Sequence, residues 1–118
     1  MSAVGWQRVE GGLLAVVALV VAMMAGPGWP WWVWPLALLA PDLGMVGYVA
    51  GPRVGAFAYN VLHLYAGGLA LAAVGVATAQ VGLIAAGMVW IAHVGADRAL
   101  GFGLKGASFR DTHLGRIG

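Results

Sequence analysis

Asp42, Tyr59, Asn60, His63, His93 and Asp97 stand inside or at the rim of otherwise apolar runs, and their types suit metal or proton chemistry. In the stretch IAHVGADRALGFGLK, His93 and Asp97 are four residues apart, one helical turn, and share a face. Tyr59 and Asn60 precede His63 by four and three residues, again on one face. Neutral imidazole and carboxylate are natural ligands for zinc, manganese or non-haem iron. Asp42, His63, His93 and Asp97 are therefore candidate ligands for a divalent metal, with Tyr59 and Asn60 beside whatever is bound. Such an ion could activate water or polarise a phosphoryl oxygen, with Arg98 neutralising a lipid phosphate. In that reading Asp42, His63, His93, Asp97 and Arg98 form the catalytic set. Without a metal the same groups could relay protons or work as an acid–base pair. The pattern His-x-x-x-Asp is common by chance, and it does not choose between these chemistries or say whether the protein is an enzyme.

The elements that must position these groups are read from the hydropathy pattern. Of the 118 residues 62% are hydrophobic and only 8% charged, and the mean hydropathy is +0.90. A soluble domain carries about 25% charged residues, so the solvent here is lipid. One domain fits this length. A spanning helix needs about 20 mainly apolar residues, and four segments qualify, at about 11–26, 33–50, 54–77 and 81–100. GPGWPWWVWP, residues 26–35, is broken by Pro27 and Pro30, and its tryptophans suit a headgroup interface. GPR, 51–53, is a tight turn, and the polar, Gly-rich tail 101–118 is expected on the membrane surface. Glu10 directly before the first apolar run argues against a cleaved signal sequence, so that run is read as a retained helix.

Every Lys and Arg falls at the N-terminus (Arg8), in the second connection (Arg53) or from Arg98 onward. The positive-inside rule then puts both termini in the cytoplasm. The expected fold is all-α, a four-helix integral membrane bundle in the inner membrane. Asp42 and His63 each lie about ten residues from Arg53, so at α-helical rise both sit roughly 15 Å deep. The tight turn makes their helices antiparallel neighbours, and the two side chains can face each other. With His93 and Asp97 they would line one polar pocket reached from the cytoplasmic side.

Plainer readings stand beside these. Interhelical hydrogen bonds of about 0.6–2 kcal/mol can account for a buried Asp–His pair. Asp97 and Arg98 can be a solvated helix end, Arg98, Lys105, Arg110 and Arg116 topology signals and headgroup contacts, and His113 a surface histidine. The chain has no Cys, which excludes disulfides and thiolate metal sites. No C-x-x-C-H supports haem, no phosphate-binding glycine loop follows a strand, no basic stripe supports nucleic-acid binding, and no internal repeat suggests a transporter. Gly67, Gly68 and Gly75, with nearby alanines, make the third span a small-residue helix, suited to the bundle centre or to contact with another subunit.

The segments PDLGMVGYVAGPRVGAFAYNVLHLY (41–65), WIAHVGADRALGFGLK (90–105) and THLG (112–115) resemble the bacterial membrane family called domain of unknown function 4260. That resemblance covers about two thirds of the chain and implies a multispan membrane protein with no established activity. It also implies that Asp42, Tyr59, Asn60, His63, His93, Asp97, Arg98, Lys105 and His113 are the family's recurring polar positions. A proline expected just after Tyr65, at Gly67 or Gly68, is missing here, which bears on how the third span bends. A looser likeness, in residue types only, is to bacterial inner-membrane metal-dependent hydrolases. The favoured function is metal-assisted or acid–base chemistry on a lipid-soluble substrate. The alternative is a non-catalytic subunit packed in a homo-oligomer or a larger membrane complex.

Overall fold

A computed structural model describes residues 1–105, together with the backbone of 111–112 and 115–116. His113 and Arg110 lie outside the described residues. Helix α1 runs Ala3–Ala25, α2 Val33–Leu39, α3 Pro52–Leu62, α4 Tyr65–Ala77 and α5 Val81–Leu100, and a 3₁₀ helix, η1, covers Ala40–Ala50 between α2 and α3. In the tail a two-residue antiparallel ladder joins β1 (Asp111–Thr112) to β2 (Gly115–Arg116).

Among the described residues, three helical stretches are long and apolar enough to cross a membrane: α1, α2 with η1, and α5. A fourth is obtained if α3 and α4, bent by 43° at a short break, count as one span. The first begins earlier than the pattern of apolar residues suggests. Ser2 caps α1, its Oγ accepting from the Gly5 N–H at 3.1 Å, so Trp6, Arg8 and Glu10 belong to the helix. It stops at Gly26, whose left-handed φ of 63° favours a residue without Cβ.

The second stretch departs from α-geometry for a local reason. Pro41 lacks an N–H, and a proline ring clashes with the carbonyl four residues back in an α-helix, whereas Pro35 falls in the first turn of α2, where proline is tolerated. From Ala40 onward the chain adopts the tighter 3₁₀ form for 11 residues, where such runs usually last 3–4 residues. Because 3₁₀ helix rises about 2.0 Å per residue against 1.5 Å for α, this 18-residue stretch still reaches about 32 Å, enough for a hydrocarbon core of about 30 Å.

Helix α5 is the centre of the packing. Ala85, Val89, Ala92 and Val94 on it are buried, and both α1 and α4 lie along it while η1 pairs with α3. Glycines make the close approaches. A Cβ on Gly95 would meet the Gly11 carbonyl oxygen at 2.5 Å, and a Cβ on Gly87 would meet the Gly68 carbonyl oxygen at 2.5 Å. Gly68, Ala72 and Gly75 of α4 are buried, so this side of the small-residue helix lies against α5, while Ala66, Ala70 and Ala73 are exposed. Ala22, Ala85 and Val89 form one core cluster, with Trp29 and Trp34 packed on it. Trp31 and Trp32 are exposed, as are Leu43, Val49 and Phe57, a surface suited to acyl chains rather than water.

Candidate metal centre

His63 sits at the break between α3 and α4, not within a continuous span. It caps the C-terminus of α3, just past Leu62, with φ −109° and ψ 21°, and Leu64 is extended. A broken helix leaves carbonyls without intrahelical donors, which is costly away from water. Two side chains of α5 meet that need. Trp90 Nε1 donates to the Leu62 carbonyl at 2.6 Å, and Arg98 Nη2 donates to the His63 carbonyl at 3.0 Å. Arg98 is buried and also lies 5.9 Å from the Tyr65 ring. Its guanidinium thus closes the end of α3, where a cation favours the helix dipole.

The His63 ring is fixed on three sides. Its Nδ1 lies 2.8 Å from the Tyr59 carbonyl oxygen. A carbonyl only accepts, so Nδ1 carries the proton, and in the neutral ring Nε2 presents a lone pair. The Tyr59 ring stacks on it at 3.7 Å with 7° between planes. The Tyr59 hydroxyl donates to Asp97 Oδ2 at 3.5 Å.

Around His63 Nε2 the other candidate ligands converge. His93 Nε2 lies 3.1 Å away, Asp42 Oδ1 3.3 Å and Asp97 Oδ2 3.3 Å. His93 Nε2 is in turn 3.1 Å from Asp42 Oδ1 and 3.2 Å from Asp97 Oδ2. One donor atom from each of the four residues can be chosen so that all lie within 4.8 Å of one another. The site therefore joins η1, the α3–α4 break and α5. His63 and His93 are buried, the Asp97 side chain is 18% exposed and that of Asp42 41%.

Donor separations of this size are what a small cation requires. In a regular tetrahedron an edge is about 1.63 times the distance to the centre, so metal–ligand bonds of about 2.0 Å need edges of about 3.3 Å. Five of the six separations run from 3.1 to 3.3 Å, and the sixth, between the two carboxylates, falls inside the 4.8 Å that bounds the set. Charge also fits. Two carboxylates and two neutral imidazoles around a divalent ion sum to zero, the least costly total in an apolar interior. The acceptor behind His63, a backbone carbonyl on Nδ1, is the usual outer partner of a metal-bound histidine, and His93 is hydrogen-bonded to the Leu38 backbone.

The remaining candidates fall outside the donor set. Asn60 faces the tail: its Nδ2 donates to the Lys105 carbonyl at 3.0 Å, and its Oδ1 accepts from the Lys105 N–H at 2.6 Å. Lys105 is buried by this clasp, its Nζ 4.9 Å from the Tyr59 ring centre and 5.5 Å from that of Phe102. Burial pushes its ammonium below the ordinary value, and the nearby charge of Arg98 adds to this while Asp97 and Asp42 oppose it. Tyr59 stands behind His63 and not among the four donors. Trp90 was missing from the sequence-based candidates, although a tryptophan far from either interface belt is itself a sign that its N–H has a partner.

The family model described as a domain of unknown function (DUF4260) matches residues 5–117. No curated protein and no solved structure matches the chain.

Proposed function

Because the chain belongs to the DUF4260 family, whose description carries no activity, we propose from the site's geometry that Asp42, His63, His93 and Asp97 bind one divalent cation, with zinc the best fit to the donor spacing. The observation that carries this reading is that the two imidazole Nε2 atoms lie 3.1 Å apart and each lies 3.1–3.3 Å from both carboxylate oxygens, with a donor atom of all four residues inside 4.8 Å. Two neutral imidazoles whose Nε2 lone pairs face each other repel, and a cation between them removes that repulsion.

The membrane placement belongs to the same proposal. The chain is a single four-span unit in the inner membrane with both termini cytoplasmic, since Arg8, Arg53, Arg98 and Lys105 mark one side. The centre then lies in the cytoplasmic half of the membrane and serves chemistry on a lipid-soluble substrate. The ion would act as a Lewis acid on a carbonyl or phosphoryl oxygen. The Tyr59 carbonyl and the Leu38 backbone hold the two rings in place, the Tyr59 hydroxyl orients Asp97, and Asp42, the most exposed donor, is the group placed to take a proton from an incoming water. The alternative, a non-catalytic subunit, needs an open small-residue surface on α4; Gly68, Ala72 and Gly75 are buried against α5, and Ala66, Ala70 and Ala73 remain exposed.

Metal analysis of the protein purified in detergent tests the reading. About one equivalent of zinc, iron or manganese is expected for the native chain, and little for His63→Ala and His93→Ala. Native protein that stays metal-free after incubation with each ion, and melts at the same temperature with and without it, would refute the proposal.

A further inference from the structure

A cleft of about 230 Å³ lies beside the centre, lined by Ala37, Pro41, Leu62, Leu71, Ala86 and Trp90 among others. Two of its walls are the chain neighbours of metal-site donors: Pro41 precedes Asp42, and Leu62 precedes His63. The Leu62 carbonyl accepts from Trp90 Nε1, so this polar group of the wall is already satisfied within it. The cleft is partly open, and it sits between α2–η1, the α3–α4 pair and α5, segments apolar enough to lie in lipid.

On the tail side access is narrower. The Asn60 amide holds the Lys105 backbone by two hydrogen bonds, and the Phe102 N–H donates to the Asp97 carbonyl at 2.7 Å, so residues 102–105 are strapped across that side. Asp42, the most exposed donor at 41%, is on η1, the element that also forms the cleft wall. The charge is complementary as well: two carboxylates neutralise a divalent ion, and the Lys105 ammonium over the Tyr59 ring leaves a positive surplus.

Resting on the metal reading above, we infer that the substrate is a single-chain amphiphile drawn from the bilayer, with an oxyanion head at the metal on the Asp42 side and its chain in the cleft between Pro41, Leu62, Ala86 and Trp90. The chain fills a space whose lining is apolar, and the head meets the cation without crossing the Lys105 strap.

Alkyl hydroxamates, which pair a metal-binding oxyanion head with a chain of chosen length, test this on the cobalt(II)-loaded protein in detergent, read by the visible absorption of the cobalt. Octanohydroxamate is expected to bind at least about tenfold tighter than acetohydroxamate, since each buried methylene contributes about 0.8 kcal/mol in transfer from water. Ala86→Trp, which fills the cleft, is expected to cut that preference to about twofold or less while leaving cobalt stoichiometry and acetohydroxamate binding as in the native chain. Ala37→Phe does the same from α2, so a folding failure of one variant does not decide the matter. An equal preference in native and filled variants, or no preference in the native protein, overturns the inference while leaving the metal centre intact. Failure to take up cobalt or any other divalent ion overturns both.

Discussion

Asp42→Asn separates a metal centre from a helix contact. Asn is nearly isosteric, and at 41% exposure the position tolerates the change without leaving a cavity. The Asn Oδ1 still accepts a hydrogen bond, so a purely interhelical role predicts a stability change within about 1 kcal/mol. A metal role predicts much more. Apparent zinc-binding free energies of about 10–16 kcal/mol at four-donor sites give about 2.5–4 kcal/mol per donor. Asp42 Oδ1 is 3.1 Å from His93 Nε2 and 3.3 Å from His63 Nε2, so it is a full member of the donor set. Its loss raises the dissociation constant by about 10²–10³. At a free metal concentration of about 1,000 times the native dissociation constant, the native protein gains about 4 kcal/mol from the ion, and a variant weakened a hundredfold keeps only about a third of that. Chelator-competition titration gives the affinity, and melting followed by circular dichroism with and without EDTA gives the stability. A variant that binds zinc within about threefold of the native affinity refutes the assignment of Asp42 as a donor.

Three further outcomes follow from the packing and the tail. Asn60→Ala removes both bonds to the Lys105 backbone, and at about 0.5–1.5 kcal/mol each limited proteolysis beyond residue 105 should quicken by about tenfold. Gly87→Val drives a Cβ into the Gly68 carbonyl and should lower stability by about 1–3 kcal/mol, whereas Gly82→Ala, with open space at its Cβ position, should match or slightly exceed the native chain by thermal melting. Lys105 sets a pH dependence. Its folded-state value lies below the ordinary 10.5, so the unfolded chain binds more protons between those two values, and stability rises with pH through that window. Amide exchange of residues 102–105 should therefore slow relative to its intrinsic rate as pH rises toward 10.5, and Lys105→Met should flatten the trend.

Part of the site could be read before any coordinates. His93 and Asp97 share a helix face because four residues make about one turn, and their Nε2 and Oδ2 atoms are 3.2 Å apart. The Arg53 turn makes Asp42 and His63 neighbours in antiparallel segments, and their contact is 3.3 Å. What could not be read is backbone irregularity. The depth count for Asp42 assumed 1.5 Å per residue, but η1 rises by about 2.0 Å. The span expected at 54–77 is two helices, and no proline marks the break. At the break the His63 Nδ1 turns back to the Tyr59 carbonyl and Leu64 is extended. Nor does spacing reveal the aim of Arg98: next to Asp97 it resembles an ion-pair partner, yet adjacent helical residues point about 100° apart, and its guanidinium meets the His63 carbonyl. The clasp of Asn60 on Lys105 joins residues 45 apart, a pairing that local pattern does not encode.

The 3₁₀ character of η1 has a mechanical consequence for Asp42. A residue turns by about 120° in that form and about 100° in an α-helix. Rewinding the eight residues between Asp42 and Ala50 would swing the carboxylate through about 160° and shorten the segment by about 4 Å. Pro41 beside it opposes that rewinding. Whether the fourth donor faces the two imidazoles or the far side of its own helix is thus governed by the pitch of a segment that touches neither ring through its backbone.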